Sequence, residues 1–275
     1  MSGTNNKIPN PAPPNNKPSA VPANKKPGSA AHNEKPSPAP PNKKVSTFEH
    51  YKILLGKDLR REFRTREMLT SMGIYTLLVL VIFGITLIQT TQKIDILQMS
   101  GGLFWAIIVF TSLLGLNRSF SYEKEDGALE GILLVPLDRS VIFLSKVTAN
   151  LLFLLIVEVV AIPIFFLFFL SGLPLEPTLP WALIPLLVGT IGIAGVGTLL
   201  ATITINTRGK DVLLALLFIP LIVPLLYACV SATTLAITGS PTFMDAYIPS
   251  LALAIGYDVI MILVSWVLYD FVVSA

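Results

Sequence analysis

The dominant feature of this sequence is a series of six long apolar stretches. A helix needs roughly 20 apolar residues to cross the hydrocarbon core of a bilayer. Hydrophobic residues make up 53% of the 275-residue chain and charged residues only 13%, which is too little charge to cover a soluble protein of this length. The stretches are continuous, whereas the strands of a membrane barrel alternate in polarity. The sequence therefore predicts an all-α integral membrane protein whose six spans lie at about Leu69–Thr90, Gly101–Leu116, Val147–Leu170, Leu179–Ile205, Val212–Ile237 and Ile248–Val273.

Basic residues flank these stretches very unevenly. Twelve of them precede the first span or lie in the loops after the second and fourth spans, whereas the opposite side holds only Lys93. Loops rich in Lys and Arg stay in the cytoplasm. The pattern predicts a multi-pass membrane protein with both termini in the cytoplasm.

The chain has two parts of different composition. The first 46 residues hold 11 of the chain's 21 prolines, together with many Asn, Lys and Ser residues. Such a segment buries too little apolar surface to offset the entropy lost on ordering. Residues 1–47 are therefore predicted to be a disordered cytosolic tail whose lysines are weakly attracted to membrane lipids. Residues 48–275 are predicted to form a six-helix transmembrane domain.

The segment Phe48–Glu67, just before the first span, has an amphipathic pattern. Apolar residues recur at every fourth position, at Tyr51, Leu55, Leu59 and Phe63, and basic residues gather on the other side, at Lys57, Arg60, Arg61 and Arg64. Asp58 and Glu62 interrupt the apolar edge. The pattern predicts an elbow helix in the membrane interface. A docking site for a cytosolic partner is an alternative that the pattern leaves open.

A second amphipathic pattern lies between the second and third spans, within Arg118–Lys146. Leu129, Ile132 and Leu133 have the spacing of one helical face, and Pro136 ends the pattern. Acidic residues crowd the predicted first turns, where a helix N-terminus favours negative charge: Glu123, Glu125, Asp126 and Glu130. This segment is predicted to be a short cytosolic coupling helix that docks a partner. An ordinary interfacial loop helix is the alternative.

Two acidic residues lie at membrane depth, Glu158 in the third span and Asp258 in the sixth. A bare carboxylate in hydrocarbon is expensive, so such residues face protein or water. They are interpreted either as residues of a substrate path or gate, or as carboxyl groups that form structural hydrogen bonds between helices.

The fourth span is rich in glycine, at Gly189, Gly192, Gly195 and Gly197. Small residues let the backbones of membrane helices approach closely, which favours close packing over the alternative of a glycine-lined gate.

Motifs of enzymes and metal sites are missing from the sequence. The pair Gly209-Lys210 lacks the spacing and the hydroxyl residue of a phosphate-binding loop, and Cys229 is the single cysteine. No catalytic, cofactor-binding or metal-binding residue is predicted, and no nucleic-acid partner is expected. Any ATP must therefore act through a partner subunit.

The chain resembles the CcmB family, the membrane subunits of the ABC-type haem exporter of cytochrome c maturation. The resemblance runs from about Tyr51 to Val273. Its motifs are the stretch KDLRREFRTREML at Lys57–Leu69, the loop EKEDGALEGILLVP at Glu123–Pro136, the stretch GTIGIAGVGTLLA at Gly189–Ala201, PLIVP at Pro220–Pro224 and YDVI at Tyr257–Ile260.

This resemblance implies an ABC-2-like permease that pairs with a CcmA-like ATPase, a CcmC-like haem-handling membrane protein and a CcmE-like haem chaperone. It assigns coupling to the ATPase to Glu125, Gly127, Leu129, Glu130, Leu133 and Pro136. Haem is then a substrate, and ATP use drives either its export or the release of the haem-loaded chaperone. A homodimer is left open.

Two other classes of function also remain open at this stage. One is an ABC-type permease for another amphiphile, such as a lipid-linked glycan or a drug. The other is a membrane scaffold that transports nothing.

Overall fold

The computed structural model describes residues 46–89, 96–125, 139–171, 176–204, 207, 209–239 and 241–274. These ranges are helical and contain no strand. The helices are α1 (Thr47–Thr65), α2 (Glu67–Gln89), α3 (Ile96–Glu125), α4 (Arg139–Phe165), α5 (Leu183–Thr204), α6 (Lys210–Thr238) and α7 (Phe243–Ser274). A π-helical turn, Phe166–Leu170, extends α4, and a 3-10 helix, Leu179–Ala182, leads into α5. The predicted tail lies almost wholly outside the described residues.

The six predicted spans are confirmed, since α2 to α7 are all long and apolar enough to cross a membrane. Three of the spans begin at least five residues earlier than predicted, and the third does so at Arg139 rather than Val147. The second span begins at Ile96, because the residues from Ile96 to Ser100 are mostly apolar and include neither Gly nor Pro. The sixth begins at Phe243 rather than Ile248, and Asp245 lies in its first turn, where a carboxylate stabilises a helix N-terminus.

The loop after α3 begins later than the sequence pattern predicted. Glu123 and Glu125 belong to the C-terminal end of α3, so the expectation that they lie in the first turns of a coupling helix was wrong. The stretch from Arg118 to Glu125 is polar, but it contains neither Gly nor Pro, and nothing in it stops the helix where the apolar span ends. Residues 126–138 lie outside the described residues.

Helix α5 is the centre of the bundle. It packs against α3, α4, α6 and α7, and most of its residues are buried. Its Gly and Thr residues are small enough to let four neighbours approach one helix. In contrast, α7 exposes most of its apolar side chains, such as Val259 and Leu263, as a helix that faces lipid does.

Helix α1 lies at one end of the bundle, where it packs against the start of α4 and touches α2. We call this end the α1 face. The end of α3 and the start of α4, which flank residues 126–138, both lie at it, because Ser119 of α3 and Lys146 of α4 line one cavity with Asp58 of α1.

Candidate functional site

The predicted coupling residues fall at the edge of the described structure or beyond it. Glu125 is the last residue of α3. Gly127, Leu129, Glu130, Leu133 and Pro136 lie outside the described residues. Their assignment to coupling therefore stays a prediction. The structure describes the two helix ends that flank this loop, the end of α3 and the start of α4, which we call its stems.

A buried ion pair fixes α1 to the start of α4, which is the second of these two stems. Lys146 Nζ lies 2.7 Å from Asp58 Oδ2, and the exposed fractions of the two side chains are 6% and 13%. Tyr51 adds a second link, because its hydroxyl donates to Thr148 Oγ1 at 3.1 Å. At this burial a charge-assisted hydrogen bond is stronger than a surface ion pair. The start of α4 is thus held against α1.

A second carboxylate fixes the angle between α1 and α2. Arg66 adopts a left-handed conformation, with φ of 56°, and ends α1. The buried Glu62 accepts a hydrogen bond from the backbone N–H of Leu69 at 2.8 Å. That N–H belongs to the first turn of α2, where backbone donors lack partners within the helix. Glu62 therefore caps α2 from the preceding helix.

These two polar links border one small cavity at the α1 face, of about 30 Å³. Its lining brings together residues of α1, α2, α3 and α4, among them Asp58, Glu62, Ser119 and Lys146. Ser119 comes from the end of α3 and Lys146 from the start of α4. Both stems of the loop therefore meet α1 at this polar cluster.

The two faces of α1 differ in part from the predicted ones. Tyr51, Leu55 and Leu59 pack against the core as expected, but the side chain of Phe63 is 55% exposed. Asp58 and Glu62 take the inward positions that an uninterrupted apolar face would fill. On the other side of α1, basic side chains lie next to one another: Lys52, Lys57, Arg60, Arg61 and Arg64.

Glu158 lies inside the bundle on α4, where only 4% of the residue is exposed. Its Oε1 atom lies 2.7 Å from the hydroxyl of Thr190 on α5, which donates to it. Its Oε2 atom is buried and has no hydrogen-bond partner among the described residues. No partner for this acid is evident in the sequence, and the structure supplies a threonine hydroxyl for one of its two oxygens.

Asp258 lies on the other side of α5, on α7, and is 5% exposed. Its Oδ1 atom is also buried and lacks a partner in the described part of the chain. This oxygen lies against the backbone of Gly192, so closely that a Cβ atom at that position would overlap it. Gly192 thus makes room for the carboxyl group of Asp258.

The other glycines of α5 also face bulky side chains at close range. A Cβ atom at Gly189 would overlap the indole of Trp105, and one at Gly197 would overlap Leu116. At Gly195 it would lie 3.1 Å from Ile262. This is the geometry of close helix packing.

An apolar cavity of about 330 Å³ lies at the end of the bundle opposite to α1. The end of α4, with Phe165 and Phe166, forms one wall, and Phe104 forms another. The polar atom of its lining, the hydroxyl of Thr233, already accepts a hydrogen bond from Trp105 Nε1 at 3.0 Å. Its volume is at the lower end of those of small-molecule sites.

Sequence reasoning missed the pairs that join distant helices. Asp58 was seen as an interruption of an apolar face, and Lys146 as one of several flanking cations. The spacing of Asp58 and Glu62, one helical turn apart and in line with Tyr51 and Leu55, was the available signal that both face inward. Their partners could not be read from the sequence, because nothing local specifies which helix packs against α1.

Comparisons with known proteins identify the family of this arrangement. The family model described as "CcmB protein" matches residues 49–270, which include α2 to α6 and nearly all of α7. Heme exporter protein B of Pseudomonas aeruginosa is 30% identical over 192 residues, which are 70% of this chain and 84% of that protein. The protein of the same name from Paracoccus denitrificans is 33% identical over 129 residues, 47% of this chain and 58% of that protein. The one from Rhodobacter capsulatus is 28% identical over 176 residues, 64% of this chain and 78% of that protein. The chain therefore belongs to the CcmB family.

Proposed function

We propose that this chain is the membrane permease subunit of an ABC-type system for haem export in the biogenesis of c-type cytochromes. The observation that carries the proposal is the match to the CcmB family, which extends from α1 through all six spans. The relatives described above are named as haem exporters. In this proposal the chain is a transport subunit without a catalytic site, and a separate subunit hydrolyses ATP.

In the proposed orientation the α1 face lies in the cytoplasm and the membrane is the plasma (inner) membrane. Twelve basic residues flank the spans on the side of α1, against Lys93 on the other, which is the distribution that keeps loops inside. Six spans return the chain to the side from which it started, so both termini are then cytoplasmic.

A CcmA-like ATPase then docks at residues 126–138, with Leu129 and Leu133 in an apolar groove and Glu125 and Glu130 at its rim. Asp58 and Lys146 support this assignment, because they fix the α4 stem of the loop to α1 at 2.7 Å. A movement of the loop would therefore move α4 and α1 together, because the ion pair links these two helices.

Haem and its carriers enter the proposal as cargo and partners. A CcmC-like protein and a CcmE-like chaperone would hold the haem, and ATP use would drive either its passage or the release of the loaded chaperone. Haem in contact with the six spans would meet no histidine, since His32 and His50 both precede them. The apolar cavity beside Phe165 offers a surface for part of an amphiphile, without an axial ligand.

The docking step is tested by Leu129→Glu in the full complex. The substitution buries an unpaired charge at the contact, at a cost of about 3–5 kcal/mol, or at least about a hundred-fold in affinity. We expect the ATPase to be lost when the chain is purified in mild detergent, and c-type cytochrome yield to fall, while the amount of membrane-inserted chain is unchanged.

The matched control is Ile53→Glu, which places the same charge at an exposed apolar position of α1. It should retain the ATPase. If Leu129→Glu retains the ATPase and Ile53→Glu loses it, α1 is the docking surface and the assignment of the loop is wrong. The number of copies of each subunit in the purified wild-type complex also distinguishes a homodimer from a single copy of this chain. A complex without an ATPase subunit would indicate a scaffold.

A further inference from the structure

Three buried polar side chains from three different helices line one small cavity in the membrane interior. They are Thr76 of α2, Thr111 of α3 and Glu158 of α4, and the cavity has a volume of about 10 Å³. The remaining lining is apolar: Ile107, Ile108, Leu154, Val157 and Ala161. All three polar residues are at most 4% exposed.

The hydrogen bonds of these residues leave donors and acceptors unused. The hydroxyls of Thr76 and Thr111 are 2.8 Å apart, and either can be the donor. One hydroxyl proton serves that bond, so the pair still offers one proton and free lone pairs. Glu158 Oε2 has no partner in the described structure, while Oε1 is bonded to Thr190. A donor and an acceptor thus face the same cavity without meeting each other.

The size and chemistry of the cavity select the occupant. A water molecule needs roughly 10–15 Å³ of such space and two to four polar partners. Three oxygens are too few for a Ca²⁺ or Mg²⁺ ion, which takes about six or more. An apolar ligand would leave Oε2 unsatisfied, which is costly in a buried site.

We propose that Glu158, Thr76 and Thr111 bind one internal water molecule in the middle of the membrane. The water donates to Glu158 Oε2 and exchanges hydrogen bonds with the threonine pair. Together with the bond from Thr190, this forms a continuous polar connection through α2, α3, α4 and α5. A crevice of about 110 Å³ between α2 and α4 adjoins the cavity and shares Thr76, Val157 and Ala161 with it.

The connection can be tested because the threonine pair and Glu158 do not bond to each other directly. The effect of Thr111→Val on the midpoint of thermal unfolding, Tm, is measured in the wild-type, Glu158→Gln and Glu158→Leu backgrounds. In the wild type we expect a loss of about 2–10 °C, because a buried donor partner of the water is removed. The loss should persist with Gln, which can still bind the water, and be smaller with Leu, where only the direct bond between Thr76 and Thr111 is left to lose.

Asp258→Asn provides the matched control. It alters another buried carboxyl with an unpartnered oxygen, but Asp258 does not line this cavity. The effects of Asp258→Asn and Thr111→Val should therefore add. Equal losses from Thr111→Val in all three Glu158 backgrounds would overturn the proposal.

A cryo-EM map of the wild-type complex decides the case if the Leu variant does not fold. One separate density within hydrogen-bond distance of all three oxygens is expected, and it should vanish in the Thr76→Val/Thr111→Val variant. A carboxyl oxygen of Glu158 within hydrogen-bond distance of a threonine hydroxyl, with no separate density beside them, would show a direct bond and refute the water. A Tm that rises when Na⁺ replaces choline at equal ionic strength would identify a cation site instead.

Discussion

Gly189 offers the sharpest test of the packing around α5. A Cβ atom at this position would lie 2.7 Å from Cζ3 of Trp105 and 2.9 Å from Sγ of Cys229, where real Cβ atoms are essentially never found. Trp105 cannot easily move away, because it is 1% exposed and its Nε1–H is bonded to Thr233. Gly189→Ala should therefore strain the contact between α3 and α5.

The magnitude follows from a comparison with Gly256 of α7, where an added Cβ would meet nothing within 4 Å. Both glycines lie inside helices, so Ala brings each the same gain in helix propensity, roughly 0.5–1 kcal/mol. Only Gly189→Ala adds overpacking, which costs about 1–3 kcal/mol. The difference between the two variants is therefore this overpacking cost, and it is unaffected by the value chosen for the propensity.

The assay is thermal unfolding of both variants in one detergent and at one heating rate. For a chain of this size 1 kcal/mol changes Tm by about 2–4 °C, so Gly189→Ala should unfold about 2–12 °C below Gly256→Ala. A Tm for Gly189→Ala equal to or above that of Gly256→Ala would refute the reasoning. It would mean that Trp105 has room to shift and that glycine is not required there.

Two further predictions concern the ion pair at the α1 face and the orientation of the chain in the membrane. Asp58→Lys should lower the amount of folded permease, because it places a second cation beside the buried Lys146. The double variant Asp58→Lys/Lys146→Asp should recover part of that amount. Equal yields from the single and the double variant would show that the pair at 2.7 Å does not stabilise the fold. In intact cells a cysteine at Asp245 should react with an impermeant thiol reagent and one at Lys210 should not, with Cys229 silent because it is buried; the reverse pattern would invert the proposed orientation.

The spans could be predicted because hydrocarbon imposes a strong and local requirement. Each helix must satisfy its own backbone hydrogen bonds and carry about 20 apolar residues, and both properties are visible in the sequence. The ends of the helices were less accurate for the same reason. At Ile96 and at Glu125 the helix extends beyond the predicted span, because the flanking residues contain neither Gly nor Pro and are compatible with a helix.

The pairs between helices could not be predicted, because they depend on which faces meet. Glu158 was known to need a partner, but Thr190 was one of many hydroxyls in the spans. Asp58 and Lys146 are separated by 87 intervening residues, as positions 58 and 146 imply, and only the packing of α1 on α4 brings them together. The glycines of α5 indicated that something packs closely there, yet the sequence did not say that Trp105 does.

The depth of each acidic residue explains why similar side chains are stabilised in different ways. On α4, Glu158 follows Lys146 by about 18 Å along the helix axis, which is more than half of the hydrocarbon thickness. At the level of Lys146, near the membrane surface, Asp58 has an ammonium group as its partner. At the level of Glu158 the partners are a hydroxyl of α5 and the cavity beside Thr76 and Thr111.

Thr190 and Gly192 are only about 3 Å apart along the axis of α5, so Glu158 and Asp258 flank that helix at nearly one depth. A charge at that depth is far more expensive than at the surface, and neutral hydrogen-bonding partners are what the helices there provide. The ion pair of Asp58 and Lys146 therefore holds the α4 stem of the loop against α1 near the membrane surface. The carboxyl groups of Glu158 and Asp258 lie in the middle of the bundle, on two sides of α5.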